Sequence, residues 1–123
     1  MEGKRMFFKK GYTMTLNRVH DTVIIRENGE SLKLTVNADA HRMVAGLNQA
    51  QVKLQELTKD GATDAQAVET AEFFAKVIFG DEQAKQLSEF YTNDPWCIIS
   101  VCGDYFKKRL SGKITAIQKK LNV

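Results

Sequence analysis

The first patterned stretch of the chain, "TVIIRENGESLKLTV" at residues 22–36, alternates apolar and polar positions on either side of Asn28-Gly29. Asn-Gly suits the tight two-residue turn whose twist matches that of paired strands, so the pattern predicts a β-hairpin over about 22–36. With the turn there, Ile25 faces Leu32 and Val23 faces Leu34, Val36 lies on the same side, and Lys33 and Thr35 point away. A lone hairpin is marginal in water, so its greasy face must be covered.

After Val36 the period changes. Met43, Leu47, Ala50, Leu54 and Leu57 recur at steps of four and three, one buried stripe of a helix over about 38–59. Asn37 is the expected N-cap, Lys59-Asp60-Gly61 the expected stop, and Gln49, Lys53 and Glu56 the solvated face. Thr63 with Gln66 reads as a capping box that opens a second helix, about 64–79, through Ala67, Ala71, Phe74 and Ile78. Gly80 is expected to end it at positive φ, and Asp81 to cap a third helix, about 82–91, that turns Ala84, Leu87, Phe90 and Tyr91 inward. In "TNDPW", Asp94 as N-cap and Pro95 at the first helical position open a last helix, about 95–121. Its stripe runs Ile99, Cys102, Phe106, Leu110, Ile114, Ile117, Leu121 in unbroken phase, which favours one long helix over a break at Ser111-Gly112. Gly103 and Gly112 cost about 1 kcal/mol each inside it. The expected fold is α+β, predominantly α-helical: a hairpin packed on about four helices, with residues 14–123 as a single domain.

Composition narrows the class. At 43% hydrophobic and 27% charged residues the 123-residue chain is globular. No apolar stretch approaches the ~20 residues that span a bilayer. Near the start only Met6, Phe7 and Phe8 form an apolar run, too short for the roughly 7–15-residue core of a signal peptide, so the expected location is the cytoplasm. Lys9-Lys10-Gly11 must be encoded by purine-rich codons shortly before Met14. This points to a ribosome-binding site, a start at Met14, and a disordered translated leader at residues 1–13; the same argument applies, less well, to Met6 through Glu2-Gly3. Cys97 and Cys102 lie about 140° apart around a helix and cannot share a ligand face, so they read as small buried hydrophobes.

The net charge of +3 is unevenly spread. Residues 1–13 hold Lys4, Arg5, Lys9 and Lys10 against Glu2, and residues 104–123 hold six cations against Asp104. The body between them carries eight cations and thirteen acids, an acidic centre flanked by basic ends. Such a division suits self-association or an acidic partner at least as well as nucleic acid.

Candidate chemistry is sparse. His20 and His41 are the only histidines, and Asp39-x-His41 has no serine or cysteine tied to it by a recognisable spacing. The acids show no pairing for acid–base work, there is no metal-ligand spacing, and Gly29, Gly61 and Gly80 are isolated. The chain reads as a non-enzyme without a cofactor. Eight of its eleven aromatics fall between residues 73 and 106, a cluster that is most simply core. Neighbouring pairs such as Phe73-Phe74, Phe90-Tyr91 and Tyr105-Phe106 cannot all face inward, however. Phe73, Phe79, Tyr91, Trp96 and Tyr105 are therefore candidate partner contacts. Lys107, Lys108 and Arg109 are candidates beside them, with a solvated helix end as the plainer reading.

A hairpin with "NGESLKLTV", then "FFAKVIFGDEQAKQLSEFY", then "NDPW" and a last helix ending "YFKKRL…IQKKL" resembles the small tail assembly chaperones of long-tailed bacteriophages and related prophages. The resemblance spans about residues 22–121 and implies a non-enzymatic protein of the host bacterial cytoplasm. It would bind the tape measure protein, keep its apolar helices from aggregating, recruit tail tube subunits, and leave the finished tail. Members of that family are often made in two lengths by a late ribosomal frameshift, and Gln118-Lys119-Lys120 permits a slippery codon run. Two other readings stand beside it. One is a phage structural or head–tail joining protein retained in the particle. The other is a small helical nucleic-acid binder using the basic last helix, whose affinity would fall steeply with salt.

Overall fold

The computed structural model describes residues 17–59 and 61–121; the proposed leader, residues 1–13, lies outside them. Strands β1 (Arg18–Glu27) and β2 (Glu30–Asp39) form an antiparallel pair around Asn28 and Gly29, whose φ angles of 52° and 82° are those the tight turn requires. Val23 stands opposite Leu34 and Ile25 opposite Leu32, the register read from the alternation. Both strands run beyond 22–36. Val19 is buried with Leu34 and Val36, and the Arg18 guanidinium reaches across to Asn37 Oδ1 at 3.0 and 2.8 Å.

That extension corrects one expected cap. Asn37 pairs with His20 inside the ladder, and a helix cannot begin until the pairing ends. The cap of α1 (Ala40–Leu57) is Asp39: its Oδ1 accepts the amides of His41 (2.8 Å) and Arg42 (3.3 Å), and its Oδ2 accepts Asn17 Nδ2 (3.0 Å). The Thr63–Gln66 capping box opens α2 (Asp64–Phe79) as expected. Gly80, at φ 85°, is the only residue between α2 and α3 (Asp81–Phe90). With no room for a separate cap, Asp81 falls inside the first turn of α3 and makes no capping hydrogen bond. It contributes only negative charge at a helix N-terminus. Asp94 and Pro95 open α4 (Pro95–Tyr105) as expected, with Asp94 Oδ1 accepting the Trp96 amide at 3.0 Å.

The last helix is continuous but not uniform. α4 passes through a π-helical turn (Phe106–Leu110) into α5 (Ser111–Leu121), and the Ser111 amide donates to the Phe106 carbonyl five residues back. The buried positions are Ile98, Cys102 and Tyr105, then Leu110 and Ile114. A regular helix would follow Tyr105 with an inward residue three or four further on. The wider turn absorbs one extra residue and brings Leu110 to the core instead. The core itself is one connected cluster. α2 lies at its centre, against α1, α3, α4 and β2, with the hairpin's apolar face closing one side.

Candidate functional site

The π turn decides which aromatic goes inside. Tyr105 is 6% exposed and stacks on Phe79, also 6% exposed, with ring centroids 6.0 Å apart. Both were candidates for a partner surface, and both are core residues. Phe106, read as part of the buried stripe, is only half-buried. The hydroxyl of Tyr105 leaves the core on one side, donating to Asp21 Oδ2 at 2.8 Å.

Asp21 is the centre of the most connected polar cluster in the described residues. It sits on the inward side of β1, its side chain 7% exposed. Arg109 clamps it with two bonds, Nε to Oδ2 at 2.9 Å and Nη2 to Oδ1 at 2.8 Å, and the Thr22 amide donates to Oδ1 at 2.9 Å. The Arg109 guanidinium, ahead of every other influence, holds the carboxyl well below the usual carboxylate range. Burial and the same carboxylate raise the Tyr105 hydroxyl far above its ordinary value. Arg109 is thus a strut between the last helix and β1. Lys108 is paired with Asp104 at 3.1 Å, and Lys107 is exposed beside it.

Three aromatics flank the turn between α3 and α4, the half-buried Phe90 and Tyr91 and the exposed Trp96. Phe90 meets Tyr91 edge-on, centroids 5.1 Å apart, and Tyr91 Oη donates to Glu27 Oε1 (3.3 Å) near the hairpin tip. Burial first, then Glu27, pushes the Tyr91 hydroxyl up to about 12. Trp96, at the start of α4, is 52% exposed. Between them Thr92 and Asn93 both take positive φ, 55° and 63°. Asparagine tolerates this conformation, but a β-branched threonine is strained in it. The turn is held regardless by the Asn93 amide on the Ser88 carbonyl at 2.7 Å. Phe73 is elsewhere, half-buried on α2 beneath Lys53, whose Nζ lies 5.3 Å from the ring centroid.

The eight candidates therefore separate into two core residues, one flank residue on α2, the Tyr91–Trp96 corner and the basic turn. The pattern reading missed Asp21, Glu27 and Thr92. For Asp21 a signal lay one residue outside the expected strand: carrying the alternation back from Val23 puts an acid at an apolar register position, which needs a partner, but both the longer strand and that partner were hidden. Both thiols are raised above their ordinary values by burial, Cys102 to about 12, which keeps them protonated. Among the described residues no three His, Cys, Asp or Glu side chains converge as a metal site, and no helix is long and apolar enough to cross a membrane.

What fold and surface define is a helix-rich α+β protein with an open aromatic corner and a basic last helix. No protein-family model matches the chain, and comparisons with curated proteins and with solved structures find no match.

Proposed function

We propose that the chain is a tail assembly chaperone of a long-tailed bacteriophage or prophage. On this reading it is a non-enzymatic protein of the host cytoplasm that binds the tape measure protein and recruits tail tube subunits. The resemblance through "NGESLKLTV", "FFAKVIFGDEQAKQLSEFY" and "NDPW" supports it. The structural observation that carries it is Trp96, 52% exposed on a corner with Tyr91 and a strained turn. An open tryptophan beside a second aromatic is the kind of anchor that an apolar helix face takes up, and local strain is commonest where function requires a fixed shape.

The test is co-expression with the largest helical protein encoded downstream. That protein should be insoluble alone, and soluble and copurified in the presence of this chain; if it stays insoluble and unbound, the reading fails. Mass spectrometry of purified virions separates a chaperone, which should be absent, from a structural or head–tail joining protein, which would be present. The nucleic-acid alternative gains little from the surface, because Lys108 and Arg109 already have carboxylate partners in Asp104 and Asp21.

A further inference from the structure

The two edges of the hairpin are finished differently. On the outer edge of β2, the Gln83 side chain of α3 accepts the Thr35 amide at 2.8 Å and donates to the Thr35 carbonyl at 2.7 Å, as a neighbouring strand would. Its Nε2 is fixed further by the Phe79 carbonyl at 2.9 Å. Thr35 therefore points its backbone groups outward, and so does its partner Thr22. By alternation Ile24 and Arg26 do the same along the outer edge of β1. There the Thr22 amide is occupied by Asp21, but no described residue bonds the outward groups of Ile24.

Beside Ile24 runs a groove of about 390 Å³ between β1 and α4, walled by Val23, Ile25, Val101 and Tyr105 with Lys108 and Arg109 at its rim. The rim cations are paired with Asp104, which also borders the groove, and with Asp21, so the charges at the rim are balanced and the walls are apolar. The opposite, solvent face of the hairpin is different: its outward positions carry Arg18, His20, Arg26 and Lys33, and its one carboxylate, Asp39 opposite Arg18, is taken up by the amides of His41 and Arg42 at the start of α1. Ile24, 50% exposed, lies among them.

We propose that the β1 edge takes up an extended segment of another protein as a third strand, with acidic and apolar residues alternating along it. Apolar side chains enter the groove against Val23 and Val101, and acidic ones lie on the solvent face beside Arg26 and His20. Main-chain bonds to Ile24 give the affinity and the two faces give the pattern. A second copy of this chain fits poorly, because pairing β1 with β1 brings Arg18 and Arg26 together with the same arginines of the other copy. This inference does not depend on the tail assembly reading.

The probe is a blocked synthetic peptide of alternating Glu and Val, compared with the same peptide bearing Lys for Glu and with one bearing a central Pro. All three are titrated into the full chain at low salt by fluorescence anisotropy, with amide exchange followed by NMR. The Glu peptide should bind and slow exchange at Ile24, the Lys peptide should bind at least about tenfold more weakly, and the Pro peptide should not protect Ile24. Ile24→Pro, which removes an outward amide and no bond of the β1–β2 ladder, should abolish binding. Should that variant not fold, Val101→Glu in the groove should do the same. Absence of binding, equal binding of the Lys peptide, or binding without protection at Ile24 overturns the proposal. So does slow exchange at Ile24 in the free protein, which would mean the edge is already covered. Protection that grows with protein concentration overturns it in favour of self-pairing.

Discussion

Asp21 is a carboxylate on the apolar side of a strand, and the fold is built so that it never needs a proton. Three donors, Tyr105, Arg109 and the Thr22 amide, saturate it from two distant parts of the chain. Its folded pKa is lowered from an ordinary value of 3.8, so at mild acidity the unfolded chain binds more protons than the folded one. The stability it contributes is complete above about pH 4 and is lost as pH falls below that range toward the folded value. Thermal unfolding followed from neutral pH down to about pH 2 should show this acid loss in the native chain. In Arg109→Met the midpoint at neutral pH should be lower, and the fall through that window shallower. A fall of unchanged steepness would assign the acid sensitivity to other carboxylates. Tyr105→Phe keeps the ring against Phe79 and removes one bond to a charged acceptor, so it should cost about 1.5–3 kcal/mol at neutral pH and little once Asp21 is protonated.

At the scale of elements, hairpin and helices were largely legible because their signals are local. Asn28-Gly29 specifies the turn, Thr63 with Gln66 and Asp94 with Pro95 specify helix starts, and Gly80 specifies a stop. What escaped were features that depend on a neighbour: the strand pairing that displaced the cap from Asn37 to Asp39, and the π turn that re-phased the last helix. The contact between α1 and α2 is another. A Cβ on Gly46 would lie 2.9 Å from both γ carbons of Val77. Valine is stiff at χ1 in a helix and cannot swing aside, so the helices cross at a distance only glycine allows. Alanine ordinarily gains about 1 kcal/mol over glycine in a helix, yet Gly46→Ala should destabilise by roughly 1–2 kcal/mol, from overpacking. In a Val77→Ala background the same change should become stabilising, and that reversal of sign in denaturant unfolding separates a steric crossing from a simple preference for glycine. The π turn makes a second prediction. If it accommodates one surplus residue, deleting Lys107, which is exposed, should leave a regular helix with Leu110 still inward, folded and within about 1 kcal/mol of the native chain. Deleting Lys76 from α2, which has no such turn, should rotate Ile78 and Phe79 out of the core and unfold the protein. Circular dichroism melts of the two deletions decide it.

Across the whole molecule, which aromatics face outward was the least legible part, for a definite reason. Composition located the aromatics between residues 73 and 106, but inward or outward placement is set by helix phase and by what each helix meets. Both are long-range: Phe79 is buried because Tyr105 crosses it, and Tyr105 is inward because Arg109 and Asp21, 88 residues apart, close around its hydroxyl. A reading of neighbouring pairs could establish that some aromatics must be exposed, not which. The structure divides them, and the division can be measured. Trp96→Ala removes an exposed ring from a capped helix start and should change unfolding free energy by no more than about 0.5 kcal/mol. Phe79→Ala empties a core position and should cost about 3–5 kcal/mol. If the aromatic corner holds the partner, the ranking reverses in the co-expression assay when the amounts of folded protein are matched. Trp96→Ala should then lose most of its power to keep the large helical protein soluble, whereas a chain destabilised from within but still folded should retain it. Equal solubilising activity in Trp96→Ala and the native chain would move the binding surface away from this corner, leaving the strained turn at Thr92 and Asn93 without a partner to explain it.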